Sequence, residues 1–385
     1  MSRFGNQLKL RHDMKHIVKI AFLWLCAALI LTACDRNRHT PEPEPQKEPI
    51  SFSALSQIPS VKADDGTTPF SEYHEDFGVW GIARHSLYSP YILWETSAQT
   101  PMIKVEAVHE KDEDGKDLPT SNFVPTSGAY WVQGYTYSFI AIAPYPIGDS
   151  AFSDLVATPA VVGTTPDSST PDRVLFTIDM GEKYAPTAEG ASPDFDFDLM
   201  GASAKSNEVG VASSQGAQNL SFNHLLTKLC VKVRFSGAEG TVTGMRLYNV
   251  DIKAQYELSL NNNAFAEIHT ILTDEMNVEL AQDDFVQVTE GTGDAAKDWQ
   301  VATIHLLPQD ISDFQLYLDF KIGEGEDAVV TSNFKANISA ATARPEYGIN
   351  EWYNWNLTIS ANGIAFDVEV GPWSSAGDPE EFPID

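Results

Sequence analysis

The sequence predicts an all-β protein built from two antiparallel β-sandwich domains in tandem, and three observations carry that reading. Short segments alternate apolar and polar side chains with a period of two. Gly, Pro, Asn and Asp separate those segments, and no window longer than about ten residues keeps helical spacing. Apolar residues make up 43% of the chain, with eight Trp and twenty Phe, enough to fill a core despite a formal charge of −29. A chain of 385 residues is also more naturally two domains than one.

The chain opens with a targeting signal. Ile20 to Ala33 is an uncharged apolar run preceded by Arg3, Lys9, Arg11, Lys15 and Lys19. As a helix it would rise only about 21 Å, short of the roughly 30 Å hydrocarbon core, so residues 1–33 read as a signal peptide that starts at Met1 or Met14. A signal anchor is disfavoured by the short charged flanks. Leu31-Thr32-Ala33-Cys34 resembles a bacterial lipobox, which would make Cys34 the lipidated mature N-terminus. Cleavage there removes five basic residues and Asp13, so 20 basic face 53 acidic side chains and the charge becomes −33.

Residues 34–49 follow as a tether. Pro41, Pro43, Pro45 and Pro49 interleave with Glu42, Glu44 and Glu48, a pattern that forbids sheet ladders and favours an extended spacer. The N-terminal sandwich is expected over 50–215, with strands at Phe77–Ile82 and Tyr135–Ala143. Residues 157–195, rich in Pro, Thr, Ser, Asp and Gly, read as a long loop inside it. The small, polar stretch 201–219 places the division. The C-terminal sandwich, 216–385, carries the clearest alternation, Leu229–Phe235, where Lys232 and Arg234 oppose Leu229, Val231, Val233 and Phe235. Further strands are expected at Met245–Tyr248, Thr303–Leu306, Phe314–Phe320, Trp355–Ile359 and Ala365–Val370. Cys230, the one cysteine left after Cys26 departs and Cys34 is acylated, sits inside a strand and reads as a buried hydrophobe.

The acidic excess repels phosphate backbones and anionic lipid surfaces, which excludes nucleic acid as a partner. No constellation for catalysis, cofactor or metal emerges. HExxH, a phosphate loop, a GxSxG elbow and paired CxxC are all missing, and His39, His74, His85, His109, His224, His269 and His305 are scattered singly. Asp194-Phe195-Asp196-Phe197-Asp198 has a calcium loop's alternating carboxylates, but Leu199 stands where Gly is needed; Glu110 to Gly115 has the Gly, but Ser121 replaces the closing Glu. Both read as solvated acidic loops. Trp94, Trp131 and Trp352 could stack on sugars if exposed, which motivates an alternative function as an outer-membrane glycan-binding lipoprotein.

Several segments, in chain order, resemble the fimbrillin family, pilus subunits derived from lipoproteins of Gram-negative anaerobes. After the lipobox come Ile50-Ser51-Phe52-Ser53-Ala54, then Val61-Lys62-Ala63, then Asp76–Gly81. Tyr130-Trp131 with Tyr135, Tyr137, Phe139, Ala141 and Pro144 is similar to the family's aromatic strand. Asp198-Leu199-Met200 with Leu220 to Leu229 is similar to its most specific passage. Trp352–Ile359, Ile364 to Val370 and Trp373 match its ending.

The resemblance implies two transthyretin-like sandwiches, export to the outer membrane as a lipid-anchored precursor, and a cell-surface fimbrium that supports adhesion. It implies that a trypsin-like protease cuts after the first strand, around Ile50 to Ile58. A strand from another subunit then fills the opened groove. The cut would fall between Lys62 and Ala63, where the family usually has Arg, so either a Lys-tolerant enzyme acts or the subunit stays uncut. Cuts at Arg36 or Arg38 would free the anchor without opening the groove. The tail after Trp373, interrupted by Pro379 and Pro383, is a poor donor strand, which favours a tip or anchor subunit over the shaft. Expected partners are other fimbrillin subunits, the outer membrane through the lipid, and a host or bacterial surface glycan or protein.

Overall fold

The computed structural model describes residues 48–57, 67–94, 101–159, 171–187, 191–210, 215–261, 264–272, 274–290, 297–310, 314–325, 328–336, 348–360 and 363–372. Period-two alternation becomes strand after strand. The first half runs β1 (Phe52–Gln57), β2 (Thr67–Pro69), β3 (Asp76–Arg84), β4 (Tyr91–Ile92), β5 (Ile103–Ala107), β6 (Asn122–Pro125), β7 (Thr136–Ala143), β8 (Phe152–Thr158), β9 (Asp172–Asp179), β10 (Met200–Lys205) and β11 (Gln218–His224). The second half adds β12 (Thr227–Phe235), β13 (Gly240–Asp251), β14 (Lys253–Asn261), β15 (Ala264–Ile271), β16 (Glu275–Ala281) and β17 (Val286–Glu290). It ends with β18 (Lys297–Leu306), β19 (Gln315–Ile322), β20 (Val329–Ala336), β21 (Glu351–Ser360) and β22 (Gly363–Pro372). Every alternating segment expected from Phe77 to Val370 falls on one of these strands to within a residue. Among the described residues the only α-helix is the single turn α1, Gly181–Tyr184.

The first sheet is ordered β11-β10-β7-β3-β5-β6-β1-β2, with β4 beside β3, and β1 pairs with β11 as well. That last pairing closes seven strands into a ring. Successive side chains on a strand point to opposite faces, so the ring has an inner and an outer set. The inner set is aromatic, with Phe52, Phe70, Phe77, Phe123, Trp131, Tyr137, Phe139 and Phe222 in one cluster. Trp80, Ile82, Ile140 and Ile142, on the other face of β3 and β7, belong to a second core shared with the rest of the protein. These two strands are therefore buried on both faces.

A second sheet, β15-β14-β9-β8, packs on that outer face. Its central strand β9 corrects the reading of 157–195 as a loop. Val174, Phe176 and Ile178 alternate there and are fully buried, and Phe176 stacks on Tyr256 of β14 at 5.5 Å. Flanking Pro, Ser and Thr masked a strand of eight residues. Residues 201–219, read as a divider, also hold structure. Met200–Lys205 pairs along β7, where small Gly201 and Ala202 sit in the interior. Gln218–His224, beyond residue 215, is built into the first sheet between β10 and β1.

The remaining sheets, β17-β18-β12-β21-β22 and β16-β13-β19-β20, face each other across Leu229, Val231, Val233, Trp355 and Leu357 on one side and Val242, Leu247, Leu316 and Leu318 on the other. Strand β12 differs from a half-solvated strand. It lies between β18 and β21, and Lys232 is buried while the Arg234 guanidinium sits 5.0 Å from the Trp299 ring and donates to Thr358 Oγ1.

Candidate functional site

The strand that closes the ring is β1, and it is hydrogen-bonded on both edges. One edge runs antiparallel to β6 (Phe52 opposite Phe123) and to β2 (Leu55 opposite Pro69, Gln57 opposite Thr67). The other runs parallel to β11, from Phe52 opposite Gln218 to Ser56 opposite Phe222. Backbone bonds extend the pairing upstream: Ile50 N–H donates to Ala129 O at 2.9 Å, Ala54 N–H to Ser121 O at 2.8 Å, Gln218 N–H to Ser51 O at 2.8 Å and Trp131 N–H to Glu48 O at 3.0 Å. Without β1, β11 and β6 would each present a bare row of peptide groups.

Alternation decides which β1 side chains enter the ring. Ile50, Phe52, Ala54 and Ser56 are all at most 2% exposed. Phe52 meets Phe139 and Phe77 edge-on, at 5.2 and 6.1 Å between centroids. Ala54 is fully buried, and the buried Ser56 hydroxyl has no hydrogen-bond partner. Two residues before Ile50, the Glu48 carboxylate accepts the backbone N–H groups of Gln215 at 2.8 Å and Gly216 at 3.0 Å.

A second cluster lies where the sheets of the two halves meet. Leu225 N–H donates to Leu199 O, His305 N–H to Phe195 O and Asp194 N–H to Lys183 O, so residues 194–199 form a strap across the junction. Asp194–Asp198 is thus part of a bonded strap with buried Phe195 and Phe197, not the solvated acidic loop read from the sequence. Phe195 and Phe197 are buried, and the Asp198 carboxylate accepts from His224 Nδ1 at 2.9 Å. Burial alone would raise the Asp198 carboxyl, but His224, His305 and His74 around it outweigh that and pull it down to about 2. Burial drives His305 down to about 3, Asp198 opposing and Lys228 reinforcing, and its Nδ1–H donates to Phe197 O at 3.1 Å. Burial lowers His74 as well, again against Asp198.

Of the residues named from sequence, Cys34, Arg36, Arg38, Lys62 and Ala63 lie outside the described residues, as do 1–33 and most of the 34–49 tether. Glu110–Gly115 forms a hairpin turn in which Asp112 Oδ1 accepts from the Asp114 and Lys116 amides and Lys111 pairs with Asp117. Trp94 and Trp131 are buried at 5% and 7% exposure; Trp94 lies against Gly81, where a Cβ would come within 2.8 Å of its ring. Cys230 is a buried free thiol. Among the described residues no group of His, Cys, Asp and Glu could hold a metal, and no helix is long and apolar enough to cross a membrane. Sequence reading missed Glu48, Ser56 and the strap histidines as site residues. The even-numbered pattern Glu48, Ile50, Phe52, Ala54, Ser56 was its one available signal.

The sequence matches the fimbrillin-like family over residues 95–373, a span that begins after β1. No curated protein matches it. Among solved structures, a fimbrial protein from Bacteroides vulgatus shares 15% identity, with 84% of this chain and 99% of that one covered and a TM-score of 0.47. The fimbrial anchor protein Mfa2 from Porphyromonas gingivalis shares 10% identity, with 85% and 98% covered and a TM-score of 0.32.

Proposed function

The chain belongs to the fimbrillin-like family, and on that premise we propose that it is a structural or accessory subunit of a cell-surface fimbrium, supporting adhesion without catalysis. We infer that it is exported as a lipoprotein acylated on Cys34, arranged as two tandem sandwiches, and joined to a neighbouring subunit by strand addition after the first strand is removed. The observation that carries the mechanism is the double-edged pairing of β1: this one strand, the first among the described residues, closes the ring. Its connection to β2 runs through residues 58–66, so a cut after Lys62 would leave β1 held by non-covalent contacts alone. A cut after Arg36 or Arg38 would leave the ring closed. The Pro-interrupted tail after Trp373 favours a tip or anchor position. The glycan-binding alternative loses the support of Trp94 and Trp131, whose rings are buried.

The test is to process the purified protein with a trypsin-like protease and follow it by SDS gel without boiling and by electron microscopy. Ladders or filaments that appear only after loss of residues 50–62 are expected. A chain that loses that segment and stays monomeric would overturn the mechanism. Mass spectrometry of the native N-terminus distinguishes acylated Cys34, Ala63 and a site after Arg36 or Arg38.

A further inference from the structure

We propose that the β1 slot selects its incoming strand by a five-position code, acidic, aliphatic, aromatic, Ala-sized and small apolar at alternate residues, and that β1 itself fits the last position imperfectly. The inference rests on the strand-addition reading and specifies the partner: an extended segment of another chain carrying that face.

Each position follows from what the ring offers. The first is the pair of amides of Gln215 and Gly216 that now hold the Glu48 carboxylate at 2.8 and 3.0 Å. Two peptide N–H groups, one donating to each oxygen of the carboxylate, favour an anion over a neutral acceptor, because the charge strengthens both bonds. The second and third hold Ile50 and Phe52. The Phe52 ring is gripped edge-on by Phe77 and Phe139, a geometry in which ring edges meet ring faces and an aliphatic side chain would forfeit both contacts. The fourth is filled by Ala54, at 0% exposure. Interiors this close-packed reject an added methylene without a backbone shift.

The fifth position is the informative one. Ser56 is 1% exposed and its Oγ is buried with no hydrogen-bond partner. A hydroxyl taken out of water without a replacement bond weakens the strand that carries it. A strand with Ala at that place keeps the shape and sheds the penalty. The resident strand is therefore held less tightly than a partner strand can be, and the difference gives exchange its direction.

The experiment uses the full mature chain with a specific protease site placed within residues 60–64, so that cutting leaves β1 seated but no longer covalently attached. Fluorescent ten-residue peptides with the Glu48–Gln57 sequence are added, and uptake and release are followed by anisotropy. Relative to the unaltered peptide, the Ser56→Ala peptide is expected to dissociate about tenfold more slowly. The Phe52→Ala peptide should bind over a hundredfold more weakly, and Glu48→Gln about fivefold. The reciprocal variant, Ser56→Ala in the protein itself, should slow displacement of its own β1 by the same tenfold. Uptake of all peptides with equal affinity and lifetime would overturn the code while leaving strand addition standing. Failure of the cut protein to take up any peptide would overturn strand addition and the code with it.

Discussion

Acid should weaken this fold through His305 before Asp198 titrates, and the size of the effect can be worked out. His305 is buried and neutral, with its pKa pushed by burial to about 3, whereas in the unfolded chain it returns to about 6.5. A folded-state value below the unfolded one means that the unfolded chain binds the extra proton as pH falls. Stability is therefore whole above pH 6.5 and is lost progressively toward pH 3. Below about pH 5.5 each pH unit removes about 1.4 kcal/mol, so going from pH 6.5 to 4.5 costs about 2.3 kcal/mol from this residue. His74, lowered in the same direction, adds to the slope. Asp198 enters later: held near 2, its carboxylate contributes stability above about pH 4 that is lost as pH falls toward 2. The groups facing His305 are Asp198, His224 and Lys228. Urea unfolding at pH 7.0, 6.0, 5.0 and 4.5 reads the slope for the wild type and for His305→Asn, which keeps a donor for Phe197 O but cannot titrate. The variant should lose about 1.4 kcal/mol less per pH unit. Coincident slopes would refute the assignment of the proton uptake to His305.

Other perturbations test separate parts of the fold. Arg84 grips Asp172 through both guanidinium nitrogens, one at 2.7 Å, and the Asp172 side chain is only 6% exposed. Arg84→Met should destabilise by about 3 kcal/mol by removing that buried carboxylate's guanidinium partner, and Arg84→Met with Asp172→Leu should recover most of the loss in thermal melts. Phe52→Ala in the intact chain should cost about 3 kcal/mol or more and speed hydrogen exchange at the Ala54 and Gln218 amides, since both bond across the β1 seam. The Cys230 thiol, raised by burial, should resist maleimide in the native protein and react at once in denaturant.

Alternation made most of the fold legible, because a strand with one apolar face writes its period directly into the sequence. Leu229–Phe235 and Trp355–Ile359 were readable for that reason. Strand β9 was not, because its eight residues sit among loop-forming Pro, Ser and Thr, and local composition outweighed the Val174, Phe176, Ile178 period. Met200–Lys205 was hidden for the opposite reason. A strand squeezed between β7 and β11 uses Gly201 and Ala202, and small residues look like a linker. The candidate site divides similarly. The Ile50–Ala54 strand was visible, but its role as the closing member depends on partners more than 160 positions away at Gln218, and no local pattern encodes a pairing of that range. The strap histidines looked scattered because His74, His224 and His305 meet Asp198 only after four separate segments converge.

The closing strand is also an element whose retention depends on connectivity. Ile50 and Phe52 are buried, and backbone bonds to Ala129, Ser121 and Gln218 run along the two edges of the strand. The covalent link through residues 58–66 adds a high effective concentration to those contacts, so a released β1 re-seats faster than a free strand can enter. Internal strands such as β3 and β7 are tethered at both ends and buried on both faces, and no single cut could release them. A protease acting in 58–66 thus changes no contact in the ring, yet it converts the seat of β1 from a folded element into a bound peptide that competes with every other strand of matching pattern.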